Sequence, residues 1–130
     1  MSSDKFYRTI YQEWDVDKIR KEIDIWQKQA DERAAYGDDA SRDTRFLALR
    51  RVRWLRLRIE ELEPMPDAER TAVMMFINDP LLSNEDIASQ LGKSVRTIEN
   101  QMSRAYKRFN ITGTDFQKKI TLYITFNKEK

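Results

Sequence analysis

The sequence predicts an all-α protein: an N-terminal antiparallel helical hairpin followed by a three- to four-helix unit built around a helix-turn-helix. Three observations lead there. The 130 residues include only three glycines and three prolines, while Arg, Glu, Lys, Leu, Ile and Ala are plentiful. Apolar residues recur at spacings of three and four in successive segments. Finally, residues 82–109 place Ala88, then Gly92 four later, then Ile98 six after that. This is the skeleton of a helix-turn-helix. Its first helix needs a small side chain where the second crosses it closely. Its turn needs a residue that takes positive φ at no steric cost. Its second helix pins its apolar face with a branched residue.

Residues 15–35 read as a helix, with Val16, Ile19, Ile23, Trp26 and Ala30 on one rhythm. Ahead of it, Phe6, Tyr7, Ile10, Tyr11 and Trp14 either extend that helix or form a short one. Tyr36, Gly37, Asp38 and Asp39 make a stop and a loop. Residues 42–61 read as the second helix, with Ala48, Val52, Leu55, Ile59 and Leu62 as its seam. Two seams joined by a short loop predict the hairpin. The second helix carries more apolar surface than one seam needs, because Phe46, Leu47, Leu49, Trp54 and Leu57 fall outside the stripe. That surplus calls for cover by the C-terminal unit, by a different protein or by a second copy, and a homodimer is the first choice. Arg42, Arg45, Arg53 and Arg56 lie near one face of this helix. They read as a phosphate clamp or, in preference, as ion-pair partners of Asp17, Glu22, Asp24 and Asp31 or as plainly solvated charges.

Pro64 and Pro66 mark a boundary between a hairpin domain, 1–63, and a helix-turn-helix domain, 64–130. Asp67 is placed to cap the next helix, whose apolar content is Ala72, Val73, Met75, Phe76 and Ile77. Met74 and Met75 read as gap-filling core rather than as a pliable docking surface. Asn78, Asp79 and Pro80 stop that helix. Ser83 and Asp86 make a reciprocal cap for the first helix of the motif, with Ile87 and Leu91 inward. Ser94 caps the second, along which Ile98, Met102, Ala105 and Phe109 form the inward seam. Gly113 then breaks the chain, and Thr114 with Gln117 opens a last helix carrying the stripe Phe116, Ile120, Tyr123 and Ile124. The run 121–126 has strand character as well.

The outer face of the second motif helix holds Arg96, Thr97, Asn100, Gln101, Arg104, Lys107 and Arg108. Such a face is ordinary on a solvated helix. Behind a helix-turn-helix it suits the major groove of DNA, where Arg forks onto guanine and Asn or Gln onto adenine. Arg96, Asn100, Gln101 and Arg104 are the candidates for base edges. Lys93, Ser94, Thr97, Lys107 and Arg108 are the candidates for holding the DNA backbone. Formal net charge is only +2, so the total says little, but its distribution says more. Residues 1–63 carry 14 basic and 14 acidic side chains, whereas residues 93–108 carry five basic residues against Glu99 alone.

At this point the chain resembles known families. Glu69-Arg70, Asp86-Ile87-Ala88, Leu91-Gly92, Ser103-Arg104-Ala105 and Lys107-Arg108 resemble the pattern of sigma-70 region 4. From Ser83 onward the segment is equally similar to the LuxR (GerE) type, through Ser94, Arg96, Thr97, Ile98, Glu99 and Asn100. The step Pro64-Met65-Pro66 departs from the single leucine-proline usual in sigma-like sequences. The layout also resembles small phage transcription activators of the ArpU and RinA type. These resemblances imply a double-stranded-DNA-binding transcription regulator, with RNA polymerase as a further partner if the sigma-like likeness governs.

Other classes find no support in the residues. Neither cysteine nor histidine occurs, which removes a disulfide framework, thiol chemistry and the usual zinc ligands. No glycine-rich phosphate loop or nucleophile-base pairing is present, so no enzyme, no cofactor and no metal are expected. No run approaches the roughly 20 apolar residues of a membrane span, and the start lacks a signal core, so a cytoplasmic protein is expected. The rival readings are a sigma-like polymerase adaptor, a small terminase-like packaging component, and an interaction module that has lost DNA binding.

Overall fold

The computed structural model describes residues 14–34, 37 and 39–127. All regular structure among them is helical, in six helices. The chain divides into two compact units, Met1–Glu63 and Pro64–Lys130.

In the first unit, α1 (Val16–Arg33) opens on Asp15, whose carboxylate accepts the Lys18 N–H at 2.8 Å. Gly37, at φ 76°, lies in the link to α2 (Asp39–Leu62). The second helix starts three residues before its first arginine, because apolar spacing is blind to a polar first turn. Ile19, Ile23 and Ala30 of α1 and Ala48, Val52, Leu55 and Ile59 of α2 are buried, and the two helices pack together. Arg51 lies over the Trp26 ring at 4.5 Å. The aromatic segment before Trp14 lies outside the described residues.

The arginine row on α2 does not stay together. Arg56 is only 4% exposed, so the four do not form one solvent-facing clamp. Its burial lowers the guanidinium pKa to about 10, opposed by nearby Asp24, so the group stays charged at neutral pH. Arg42 and Arg45 remain exposed. Of the surplus apolar residues, Phe46 and Leu47 are 63% and 52% exposed, and Leu49, Trp54 and Leu57 are half-buried.

In the second unit, α3 (Asp67–Asn78), α4 (Asn84–Leu91), α5 (Val95–Arg108) and α6 (Asp115–Phe126) follow one another. Pro66, not Asp67, is the N-cap of α3. Its fixed φ of −58° leads the chain into the helix, and Asp67 becomes the first helical residue, favourable toward the helix dipole. Ala72, Val73, Phe76 and Ile77 are buried, with Met74 and Met75 half-buried beside them. The helix ends at Asn78, where Asp79 Oδ1 accepts the Leu81 N–H at 3.3 Å.

Ser83 and Asp86 cap α4 reciprocally, at 3.1 Å and 3.0 Å. Gly92 then turns left-handed at φ 66°, ψ 34°. The Lys93 N–H reaches the Ala88 carbonyl at 2.9 Å and the Gly92 N–H the Ser89 carbonyl at 3.4 Å. This closing motif ends one helix and aims the next. Asn110, at φ 53°, repeats it after α5, with the Ile111 N–H on the Tyr106 carbonyl at 2.8 Å. Packing puts α5 at the centre, against α3 and α4, with α6 against α3.

The last helix is helical throughout, and Thr114 and Gln117 cap it reciprocally. Its predicted stripe, however, faces outward: Phe116, Ile120 and Ile124 are 73%, 42% and 57% exposed. The buried side is Leu122 and Thr125, with the Phe126 ring edge-on to Phe109 at 5.0 Å. Thr125 can turn inward because its hydroxyl donates to the Thr121 carbonyl at 2.7 Å. Both sides of α6 are apolar, so periodicity alone could not tell the packed one from the open one.

Gly92→Ala tests the turn. A Cβ there meets nothing within 4 Å, so the cost is the left-handed backbone alone, about 1–2 kcal/mol. Thermal denaturation should show this loss, with Gly92→Asn losing less.

Candidate nucleic-acid interface

Two ends and one side position α5. At its start Ser94 is the N-cap, its Oγ accepting the Thr97 N–H at 3.1 Å and lying 2.9 Å from the Thr97 hydroxyl. Ile98, Met102 and Ala105 are buried along one side, and Phe109 at the end is fully enclosed. At 100° per residue, Arg96, Asn100, Ser103 and Lys107 fall on the opposite side. Arg96, Asn100, Arg104 and Lys107 are exposed, as is Lys93 in the turn before them. Thr97 and Gln101 are half-buried toward one edge.

Arg108 departs from the expected pattern. Its guanidinium grips Glu69 of α3 with Nε on Oε2 at 2.8 Å and Nη2 on Oε1 at 3.2 Å. Glu69 is 1% exposed. The two donors most suited to a phosphate are therefore spent on holding α5 to α3. Glu69 carried a readable signal, since with Ala72, Val73 and Phe76 it shares the inward spacing of three and four. A carboxylate in that register must find a cation. Ser94 and Thr97 likewise spend hydroxyl contacts on each other at the helix start.

The exposed strip is cationic and rich in donors. Lys93, Arg96, Arg104 and Lys107 surround Asn100 and Ser103, and Glu99 is the carboxylate among them. Tyr106, half-buried, has its phenol pushed up to about 12 by burial and then by Asp115, so it stays neutral beside this strip. Such a surface can engage phosphate oxygens and base edges at once. No group of three or more metal-ligating side chains occurs among the described residues, and no described helix is long and apolar enough to cross a membrane.

Residues 54–109 match the family described as Sigma-70, region 4. The helix-turn-helix is sigma-70 region 4-like. The match starts within α2, runs through α3 and α4 and ends with the residue after α5, leaving α6 outside it. It makes this part of the chain a DNA-binding helix-turn-helix, of a regulator or of a sigma-like factor. No curated protein and no solved structure matches the chain.

Arg108→Ala strands the Glu69 carboxylate and should lower stability by about 3 kcal/mol. Lys107→Ala, one residue away and exposed, should stay within about 0.5 kcal/mol in the same urea titration. The Asp86 cap gives a pH signature. Hydrogen bonds from Ser83, backbone first, hold its carboxyl below the ordinary value of 3.8. A depressed pKa stabilises the fold above the ordinary value and loses that contribution as pH falls through the folded one. The melting difference between the wild type and Asp86→Ala should therefore be full at neutral pH and vanish in strong acid.

Proposed function

We propose that the protein is a sequence-specific, double-stranded-DNA-binding transcription regulator that sets α5 in the major groove. The observation that carries this reading is the division of α5. One side is buried, and the other presents Arg96, Asn100 and Arg104 uncovered, with Gln101 at the edge. These are the side chains that fork onto guanine or pair with adenine. Lys93, Thr97 and Lys107 hold the backbone, and the Ser94 end of the helix directs its amides toward phosphate. Arg108 acts chiefly from behind, by fixing the helix.

The regulator works as a homodimer in the cytoplasm, with unit 1–63 as the pairing domain and unit 64–130 as the DNA-binding one. Dimeric binding suits paired half-sites. A phage or mobile-element origin belongs to the same reading, on the layout of a helical segment before a region-4-like end. A sigma-like polymerase adaptor is the second reading, favoured by the family match itself. In that case promoter DNA would be bound weakly without RNA polymerase and well with it.

Selection of bound duplexes from a random pool tests the proposal. An inverted repeat with centres about 10 base pairs or a multiple apart is the expected product. No enrichment, with binding that vanishes as salt rises, would sink it. On the selected site, Arg104→Ala or Asn100→Ala should cost about 1–3 kcal/mol and relax preference at one or two positions. Lys107→Ala should weaken all sequences evenly and flatten the salt slope by about one unit.

A further inference from the structure

We infer that Glu99 is a specificity-determining residue of the proposed DNA interface, accepting from the exocyclic amine of a cytosine in the major groove. This rests on the proposed function and adds to it a base and the residue that selects it. Glu99 is exposed at the flank of the open side of α5. It is the single carboxylate in residues 93–108, among the cations Lys93, Arg96, Arg104 and Lys107.

The fold makes no use of this carboxylate. Ser94 caps the helix start onto Thr97, so a threonine fills the position that a reciprocal cap gives to an acidic or amide side chain. Glu99 is the fifth residue of the helix, beyond the first turn in which the helix dipole favours an anion. Among the described residues it takes no hydrogen bond and no ion pair. Glu69 is the contrast, a carboxylate that the fold does use, enclosed and held by two bonds from Arg108.

Against DNA the same carboxylate is costly unless a donor answers it. A helix in the major groove runs between two phosphate strands, and an anion on its flank opposes them. On the groove floor only cytosine and adenine offer an amine, whereas guanine and thymine show acceptors that a carboxylate cannot bond. Adenine sets its N7 acceptor beside the amine, which repels a carboxylate, and cytosine sets none there, so cytosine is the base selected. The cost is offset on one sequence and remains on the others, which raises discrimination without raising affinity. Arg96 stands three residues before Glu99, about 60° round the helix and about 4.5 Å along it. Successive bases are about 3.4 Å apart along the duplex, so the two side chains address neighbouring pairs, guanine for Arg96 and cytosine for Glu99.

Selection of duplexes from a random pool, run side by side with the full-length wild type, Glu99→Ala and Glu99→Gln, is the test. Affinities for the winning duplex and for an unselected one are then compared at one salt concentration. Wild type should enrich a cytosine at one position, next to the pair that Arg96→Ala loosens. Glu99→Ala should lose that preference and keep the others, and Glu99→Gln should shift it toward adenine. For both variants the ratio of selected to unselected affinity should fall about tenfold. Part of that fall should come from tighter binding of the unselected duplex. Thermal melting should be unchanged, because the side chain is exposed. Identical base preferences in wild type and Glu99→Ala overturn the inference and leave Glu99 as a solvated charge. Equal tightening on both duplexes also overturns it, because the carboxylate would then repel DNA without reading it. In both cases the other enriched positions stand, and the proposed function survives. A wild type that enriches no sequence removes the proposed function and this inference with it.

Discussion

The rotation of α5 about its own axis governs what this protein can present to a partner. Burial of Ile98, Met102, Ala105 and Phe109 sets that rotation, and a helix has only one direction left once such a seam is enclosed. The burial of these side chains stabilises the unit by roughly 1.5–3 kcal/mol for each large one. Turning the helix by one position would bring charged residues into the core at far greater cost. The Glu69–Arg108 pair adds a lock at the C-terminal end, and the Ser94 cap adds one at the start. The groove-reading role proposed for α5 needs side chains held to a narrow geometry, and these restraints supply it without engaging Arg96, Asn100 or Arg104.

Two kinds of polar residue therefore share one short helix. Ser94, Thr97 and Arg108 satisfy the protein, whereas Arg96, Asn100, Arg104 and Lys107 are left to solvent or to a ligand. Their charge lies in one strip although the chain as a whole is almost neutral. The consequence is attraction that is local, directional and sensitive to salt. It favours encounters in which this face leads.

Much of the fold was legible in the sequence, because the local rules agree with one another. The Ser83 and Thr114 caps, the Gly92 turn and the seams of α1, α2 and α5 follow from residue type and spacing, although Leu62, expected to close the α2 seam, is exposed at the helix end. What stayed hidden depended on tertiary choice. Both sides of α6 are apolar, so only packing decides that Leu122 turns in while Phe116 turns out. The grip of Arg108 on Glu69 arises because a long cation can reach from a helix edge to a buried carboxylate, and the burial of Arg56 near the exposed Asp24 is likewise decided by the neighbouring helix. In the candidate site, the seam showed which face is open. Which of its polar residues are already engaged depended on the neighbouring helix.

Amide NMR during titration with a duplex recovered by selection tests the central claim most directly. The account predicts that the largest shifts fall on residues 93–107 at outward positions, led by Arg96, Asn100 and Arg104. The amides of buried Ile98 and Met102 should move less. Shifts concentrated elsewhere, with the open face of α5 unchanged at saturation, would contradict it.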